Sequence, residues 1–191
     1  MPPRPIELPP EGLADRGIVV RPYRREDAAP ILAGTGDPLV VRYAHVSWAG
    51  QSVKEVEDLI VSEWPDAATD GRQANLSIRD AATDALLGHL VLFRIDWRAD
   101  SAEVGFFVLP EARGRGAAGH ALAAFLPWAL DELGLRRIQA AADVENRASQ
   151  HILEGAGFVR EGVMRSFFPR EDDGVRADYV LYSLLPGELV V

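Results

Sequence analysis

The sequence contains no cysteine, which excludes disulfide bonds, cysteine-ligated zinc, iron–sulfur clusters and a cysteine nucleophile. It also contains no apolar run close to the ~18 residues of a membrane-spanning helix. The first ten residues are rich in proline and have no apolar core of the kind found in a secretion signal. The sequence therefore predicts a cytoplasmic protein with no membrane partner.

Lysine is also nearly absent, since Lys54 is the only lysine among 20 basic residues and all the others are arginine. Acidic residues number 29, and the formal net charge is -9. Binding to DNA or RNA phosphates needs a basic surface, so this balance argues against a nucleic-acid partner. An anionic ligand must find a local cationic pocket instead, whereas a cationic ligand suits the overall charge.

The length of 191 residues is close to that of one domain, which averages ~150 residues. Hydrophobic residues make up 48% and charged residues 26% of the chain, near the values of globular proteins. The composition predicts a proline-rich, loose N-terminal arm over residues 1–17, a single domain over 18–186 and a short tail over 187–191.

Patterns of apolar residues predict a mixed α+β domain. Helices are expected over 25–33, 52–64, 116–133 and 146–154, and strands over 18–21, 74–79, 86–96, 102–109, 136–142, 158–168 and 177–185. Consecutive strands with short connections are antiparallel. The order β-α-α-β-β-β-α-β-α-β-β thus predicts helices on both faces of a mixed, mostly antiparallel sheet.

A glycine-rich turn after the strand that ends near Val108 is the most informative stretch. Its residues 113–119 read Arg-Gly-Arg-Gly-Ala-Ala-Gly and lead directly into a helix. The first amides of a helix have no internal partners, and a helix N-terminus favours an anion. Arg113 and Arg115 can add positive charge. The turn therefore predicts a phosphate-binding site.

Two phosphate ligands fit parts of this turn. Gly114, Gly116 and Gly119 match the dinucleotide pattern G-x-G-x-x-G, with Asp143 as a possible ribose ligand. A dinucleotide fold, however, places its glycine loop directly after its first strand and needs further βαβ units. An ATP-type P-loop is excluded because His120 stands where that motif needs lysine.

The turn and a second motif together resemble the GNAT acyltransferase superfamily. Arg113, Gly116 and Ala118 match its acetyl-coenzyme-A motif Q/R-x-x-G-x-G/A. The stretch from Asn146 to Phe158 resembles N-x-x-S-x-x-x-L-E-x-x-G-F, as in the branch containing ribosomal-protein N-terminal acetyltransferases. The resemblance covers about residues 18 to 186 and implies the GNAT fold, acetyl-CoA as cosubstrate and no metal.

The resemblance also implies which residues bind the coenzyme. Its pantetheine arm would lie along the backbone of Phe106, Phe107 and Val108, and Asn146 would hydrogen-bond to it. Asn146 also suits a helix N-cap, and one role does not exclude the other. The pyrophosphate would be held by backbone amides of Arg113, Gly114, Arg115, Gly116, Ala117 and Ala118.

The reaction implied is direct acyl transfer from a thioester to an amine, which attacks only when neutral. Deprotonation at pH 7 costs about 1.1 kcal/mol for an α-amine and about 4.6 kcal/mol for a lysine-type amine. Glu103 is the candidate base or water-organising residue, with a solvent-facing strand residue as the alternative reading.

A proton donor for the leaving thiolate is harder to assign. Many family members carry a tyrosine directly after the leucine at position 153, but this chain has Glu154 there. The resemblance points instead to Ser149, which is also a candidate coenzyme-binding residue and could be a small helix residue packed against the coenzyme or the core. Tyr179 and Tyr182 are further candidate donors. The four histidines show no metal-ligand spacing, and surface or packing roles suit them better. By family analogy, residues 43–48 border the acceptor site.

These expectations favour an N-acyltransferase that acts on a peptide N-terminus or a small-molecule amine. Two alternatives stay open. One is an acyl-CoA-binding module without turnover, and the other, resting on the three glycines, is a nucleotide-dependent oxidoreductase. The protein is expected to be a monomer or a homodimer.

Overall fold

The computed structural model describes residues 3–190 and is built around one eight-stranded sheet. Met1, Pro2 and Val191, which fall in the predicted arm and tail, lie outside the described residues. The strand order is β1-β2-β3-β4-β5-β6-β8-β7. The strands are β1 (Leu13–Asp15), β2 (Ile18–Pro22), β3 (Ala74–Asp80), β4 (Leu86–Asp96), β5 (Ser101–Val108), β6 (Arg137–Asp143), β7 (Val159–Pro169) and β8 (Arg176–Leu184).

Helices flank this sheet on both sides, which confirms the predicted α+β class. They are α1 (Ala28–Gly34), α2 (Pro38–Tyr43), α3 (Val53–Asp58), α4 (Trp64–Thr69), α5 (Ala117–Asp131) and α6 (Arg147–Gly155). Every neighbouring strand pair is antiparallel except β5 and β6, which are parallel. In residues 3–190, no helix is both long enough and apolar enough to cross a membrane.

The second predicted helix begins as expected but runs further. Ser52 and Glu55 form a capping box at its start, a pattern that is also visible in the sequence. The prediction that it ends before Pro65 is wrong, because a π-helical turn, Leu59–Glu63, joins α3 to α4. Pro65 lacks an amide hydrogen, and it lies at the start of α4, where no such donor is needed.

Helix α2 was not predicted, since Asp37 and Pro38 were interpreted only as the end of the preceding helix. Asp37 instead caps α2, and its carboxylate accepts hydrogen bonds from the amides of Leu39 and Val40. Aspartate at the N-cap followed by proline is also a start signal for a helix. Helix α2 matters for function because it lies beside the candidate site.

The described part of the N-terminal arm is packed against the domain, so the prediction of a loose arm is wrong there. Ile6 is buried, and its amide donates to the carbonyl of Ala68. The guanidinium of Arg4 lies over the ring of Trp97 and pairs with Asp100. β1 extends the sheet by pairing with β2. The burial of Ile6 and the pairing of β1 with β2 hold the arm against the domain despite its many prolines.

Two hydrophobic cores lie on opposite faces of the sheet. The larger core packs α5 and α6 against alternating strand residues such as Leu90, Val104, Ala140 and Tyr182. The smaller core holds helices α1 to α4 and is rich in aromatic residues, including Tyr23, Trp48, Trp64 and Phe107. Both faces of the sheet are thus covered by helices, so a ligand site has to lie in a gap within the sheet or at its edge.

The sheet opens between its two parallel strands. β5 and β6 pair only at Ser101–Glu103 against Arg137–Gln139. β5 continues to Val108 and β6 to Asp143, but beyond these pairs the two strands no longer hydrogen-bond to each other. The backbone edge of β5 after Glu103 is therefore left facing a gap in the sheet.

Candidate active site

A cavity of about 670 Å³ fills the gap between β5 and β6. One wall is formed by Val104–Val108 and the opposite wall by Ala140–Asp143. Its lining extends to the glycine-rich turn at one end and to α2 and the β7–β8 hairpin at the other. A cavity that passes through a sheet can bring ligands together from two sides.

The glycine-rich turn presents a row of backbone amides. Gly114 and Gly116 adopt positive φ values of 72° and 73°, and Gly116 is the N-cap of α5. Within the described residues, the amides from Gly114 to Gly119 donate to no backbone oxygen. The amide of Arg113 is the exception in the predicted set, because it donates to the carbonyl of Pro110. The free amides and the N-terminus of α5 together favour a phosphate group.

Gly119 does not have the role that a dinucleotide motif gives its third glycine, which permits close packing of helix on strand. A Cβ atom added at Gly119 meets nothing within 4 Å. Gly119 lies inside α5, has no positive φ, and is not required by its surroundings. The match to G-x-G-x-x-G is therefore coincidental, as the predominantly antiparallel sheet also indicates.

Replacing Gly119 with alanine is expected to raise the free energy of unfolding of the ligand-free protein, by less than the ~1 kcal/mol that separates the two residues in a helix interior, because Gly119 lies in the first turn of α5. Chemical denaturation of both proteins measures this difference. Gly116→Ala is the matched comparison, because its positive φ and a contact of 3.2 Å to His120 predict a loss instead. If Gly119→Ala lowered the free energy of unfolding instead, Gly119 would have a packing role after all.

The side chain of Arg113 is not directed at the turn. Its guanidinium forms a two-point ion pair with Asp37, the cap of α2, with Nη1 at 3.2 Å from Oδ2. Hydrogen bonding from Arg113 holds the pKa of Asp37 below its usual range. Arg113 thus ties the glycine-rich turn to helix α2.

Asn146 and Ser149 lie together at the start of α6. The side-chain oxygen of Asn146 accepts from the amide of Ser149 at 3.2 Å, which confirms the N-cap role. Both residues line the cavity. The nitrogen of the Asn146 amide stays available, and no described residue hydrogen-bonds to the Ser149 hydroxyl.

Glu103 lies on β5 at the point where the strands part, and it lines the cavity. Its carboxylate accepts a hydrogen bond of 2.8 Å from Arg94, which is itself more than half exposed. Glu103 is 17% exposed. The carboxylate is therefore positioned at the gap, but it already has a cationic partner.

Tyr179 and His45 form a pair that the sequence did not reveal. The Tyr179 hydroxyl and Nε2 of His45 are hydrogen-bonded, and both residues line the cavity. Burial lowers the pKa of His45 from 6.5, although Glu171 and Asp143 oppose the shift. Burial and the charge of Asp143 raise the pKa of Tyr179 to about 12. The expectation of a packing role for His45 holds, since its ring packs against Phe168, but the sequence did not reveal its hydrogen bond to Tyr179 at the cavity.

The other candidate donor, Tyr182, lies on the opposite face of the sheet. Its hydroxyl donates to Glu154 at 2.9 Å, and it is fully buried in the larger core. Burial and Glu154 raise its pKa to about 12. Tyr182 is not among the residues lining the cavity, so it is not a donor there.

A cluster of charged side chains lies beside the end of the cavity near α2. Asp143 is buried and pairs with Arg170, and Asp143 is therefore not a ribose ligand. Burial raises the pKa of Asp143, but the hydrogen bonds from Arg170 outweigh it and hold that pKa low. Arg42 and Arg170 share a set of four acidic partners: Asp143, Glu145, Asp172 and Asp173. Of these four, Asp143 and Glu145 line the cavity, and the net charge of the cluster is negative.

In residues 3–190, no three histidine, aspartate or glutamate side chains lie close enough together to hold a metal ion. The features that the described residues bring to the gap are the amide row, the open edge of β5 and a few polar side chains.

Comparison with known proteins places this arrangement in a family. A family model described as an acetyltransferase (GNAT) domain matches residues 18–159. The chain therefore belongs to the GNAT acetyltransferase family, and it is an acetyltransferase of a family that uses acetyl-CoA. The resemblance drawn from the two sequence motifs is confirmed.

Individual relatives differ in the acceptors that their names give. The chain is 33% identical over 104 residues to YdaF of Bacillus subtilis, named as a candidate ribosomal N-acetyltransferase, covering 54% of this chain and 56% of YdaF. It is 30% identical over 116 residues to spermidine N(1)-acetyltransferase of Vibrio cholerae, and the match covers 60% of this chain and 66% of that enzyme. Among solved structures, Mycobacterium smegmatis RimJ in complex with CoA-disulfide is 26% identical, with a TM-score of 0.77 over 95% of this chain and 86% of that chain.

Proposed function

We propose that this protein transfers the acetyl group of acetyl-CoA directly to a primary amine, and that the α-amine of a peptide is its favoured acceptor. The observation that carries the proposal is the parting of β5 and β6 beside a turn with unpaired amides. The gap offers a backbone edge and an anion site in one continuous cavity.

The residues that line the cavity offer the groups that a coenzyme A molecule needs. Amides of Gly114 to Ala118 hold the pyrophosphate, and the edge of Phe106 to Val108 holds the pantetheine through backbone groups. Asn146 can donate its amide nitrogen to the pantetheine while its oxygen caps α6. Phe107 packs in the smaller core, so its backbone rather than its ring serves the ligand.

Ser149 and Glu103 are proposed as the proton-handling residues predicted from the sequence. The Ser149 hydroxyl lines the cavity and can donate to the departing thiolate, which needs only a mild acid because thiols have pKa values near ~8.5. Glu103 lies where the strands part and can organise water for the incoming amine. The ion pair with Arg94 makes a positioning role more suitable for Glu103 than direct proton abstraction.

The choice of an α-amine rests on its lower cost of deprotonation and on local charge. An α-amine loses its proton at pH 7 for about 1.1 kcal/mol, against about 4.6 kcal/mol for a lysine-type amine. The negative charge left around Arg42 and Arg170 attracts a cationic acceptor to the mouth of the cavity. That charge also suits a polyamine, which is the competing acceptor.

Release of free thiol from acetyl-CoA at pH 7 tests the proposal. One peptide with a free α-amine, the same sequence with a blocked N-terminus and one lysine, and spermidine are compared at equal concentration. We expect turnover to be fastest with the free α-amine. Turnover with spermidine but with neither peptide would show that the acceptor is a polyamine and not a peptide α-amine. Coenzyme binding without turnover on any of these amines would favour the non-catalytic binding module.

The cytoplasmic location and the state of monomer or homodimer remain predictions from the sequence. So does the division into an arm over 1–17, a domain over 18–186 and a tail over 187–191. The oxidoreductase alternative loses its basis, because Gly119 has no packing role and only one strand pair in the sheet is parallel.

A further inference from the structure

Tyr179 and His45 meet at the cavity wall from distant parts of the chain. Tyr179 lies on β8, and His45 lies in the loop after α2. The rings of Phe167 and Phe168 pack against Tyr179 and His45, at centroid distances of 5.6 and 4.3 Å. The hydroxyl–imidazole hydrogen bond is thus partly shielded from water on one side and faces the cavity on the other.

The second ring nitrogen of His45 determines the direction of this hydrogen bond. Nδ1 is buried and has no hydrogen-bond partner among the described residues. Oε1 of Glu171 lies 3.9 Å from it, on a side chain that is 59% exposed. A proton on Nδ1 faces this carboxylate favourably, and Nε2 then accepts from the Tyr179 hydroxyl. A rotation of Glu171, or one bridging water, closes the remaining distance.

Charged and titratable groups approach the pair from several elements. His45 faces Glu171 and Asp143, and Tyr179 faces Asp143, Arg170 and Tyr43. Asp143 and Arg170 are paired with each other. Near pH 7 the imidazole is neutral and the phenol is protonated, because burial disfavours the charged form of each.

We propose that Tyr179, His45 and Glu171 form a relay that carries the proton of the acceptor amine from the cavity to solvent. The nitrogen of the acceptor gives its proton to Oη of Tyr179 as the hydroxyl proton passes to Nε2 of His45. Nδ1 of His45 releases its proton to Glu171, which passes it to water. One proton leaves the amine, Tyr179 ends protonated, and His45 ends neutral with its proton on Nε2. A flip of the imidazole ring, which exchanges the positions of its two nitrogens, restores the proton to the side facing Glu171 before the next turnover. The inference deepens the proposed function and rests on it.

The carboxylates near the gap are less suited to this role. Glu103 is engaged by Arg94, and Asp143 is engaged by Arg170. Tyr179, by contrast, lines the cavity and has no cationic partner, and Nδ1 of its partner His45 is buried on the side of Glu171 without a hydrogen-bond partner among the described residues. Tyr179 would be the catalytic residue, whereas His45 and Glu171 would act through it.

Steady-state kinetics with the preferred amine test the relay. Tyr179→Phe and His45→Gln are compared with wild type, and Tyr182→Phe is the matched control, because that hydroxyl lies outside the cavity. We expect kcat to fall roughly 10²-fold in Tyr179→Phe and about tenfold or more in His45→Gln, as for other positioned proton transfers. The KM for acetyl-CoA is expected to change by less than about twofold in both variants, since neither touches the amide row.

The pH profile separates a relay from a merely structural pair. In wild type, kcat should fall on the acid side as His45 gains a proton, and Glu171→Gln should weaken that dependence. His45→Gln keeps a hydrogen-bond partner for Tyr179 but cannot pass a proton, so it should lack this acid limb. The double variant Tyr179→Phe/His45→Gln should have a kcat no lower than that of Tyr179→Phe alone, because both residues act in the same proton path. An unchanged kcat in Tyr179→Phe, or an unchanged acid limb in His45→Gln, would overturn the relay.

Nuclear magnetic resonance of the imidazole supplies a readout that does not need turnover. The His45 ring is expected to carry its proton on Nδ1 at pH 7.5 and to titrate below 6.5 in wild type. Its titration should shift in Tyr179→Phe and stay unchanged in Tyr182→Phe. A proton on Nε2 would refute the relay even if acetylation occurs. Coenzyme binding with the expected tautomer but no acetylation of any amine would refute the proposed function instead.

Discussion

Replacing Gly114 with aspartate is expected to weaken acetyl-CoA binding by roughly 100-fold. The new carboxylate would stand among the amides proposed to hold the pyrophosphate. Two like charges a few ångströms apart at a protein surface repel by about 3 kcal/mol, which corresponds to that loss of affinity. Gly114 is exposed, and a Cβ atom added there meets nothing within 4 Å, so the fold should tolerate the change. Isothermal titration with acetyl-CoA measures the effect.

Gly114→Asn is the matched control for this experiment. Asparagine has nearly the same shape as aspartate, and both tolerate the positive φ of 72° at this position better than other side chains do. The asparagine variant should bind acetyl-CoA within about threefold of wild type, because it adds no charge. Equal losses in the two variants would show that backbone strain, not anion binding, explains the effect. Wild-type affinity in both would mean that the pyrophosphate lies elsewhere.

Stability is expected to fall steeply below pH 6.5 because of His89. This imidazole is buried in the smaller core, where its ring stacks on Phe107 and its Nδ1 lies 2.9 Å from the Tyr23 hydroxyl. Burial lowers the pKa of His89 to about 3. The unfolded chain takes up a proton near the ordinary pKa of 6.5, and the folded protein does not. The contribution of His89 is therefore complete above pH 6.5 and is lost as the pH falls towards 3.

The expected loss from this one residue is about 1.4 kcal/mol per pH unit below 6.5. Urea denaturation at pH 7.5, 6.0 and 5.0 measures it. His89→Gln should lower the free energy of unfolding at pH 7.5 and flatten its decline towards pH 5. His151→Gln, at an exposed position, should keep the wild-type decline. A wild-type decline in His89→Gln would show that other groups govern the acid sensitivity.

Much of the fold could be predicted because local patterns and tertiary packing agree in this chain. The capping box at Ser52 and the alternation along β5 and β8 led to elements within a few residues of those observed. Helix α2 was missed because Asp37 and Pro38 can either end one helix or begin another. Only the packing of α2 in the folded chain determines that they begin one. The N-terminal arm was misjudged because its buried contacts, such as that of Ile6 with the core, depend on distant residues.

The glycine-rich turn that we propose to hold the coenzyme was predicted from the sequence, as was the segment 43–48 beside the cavity, whereas the pairing of Tyr179 with His45 was not. The glycine-rich turn is local, so Gly114, Gly116 and Ala118 are sufficient to indicate it. Tyr179 and His45 are 134 residues apart, and neither stands in a motif of its own. The positive φ of His45 and its unpaired nitrogen are visible only in the folded chain. The ion pair of Arg113 with Asp37 was likewise hidden, because the motif suggested that the arginine serves the phosphate.

Thermal unfolding with and without acetyl-CoA tests most directly the claim that the glycine-rich turn and the gap beside β5 bind this coenzyme. Saturating acetyl-CoA at ~100 times its Kd should add about 2.7 kcal/mol to stability, a rise of roughly 5–11 °C in Tm for a chain of this size. NAD at the same concentration should leave the Tm unchanged. A rise with NAD but none with acetyl-CoA would contradict the account.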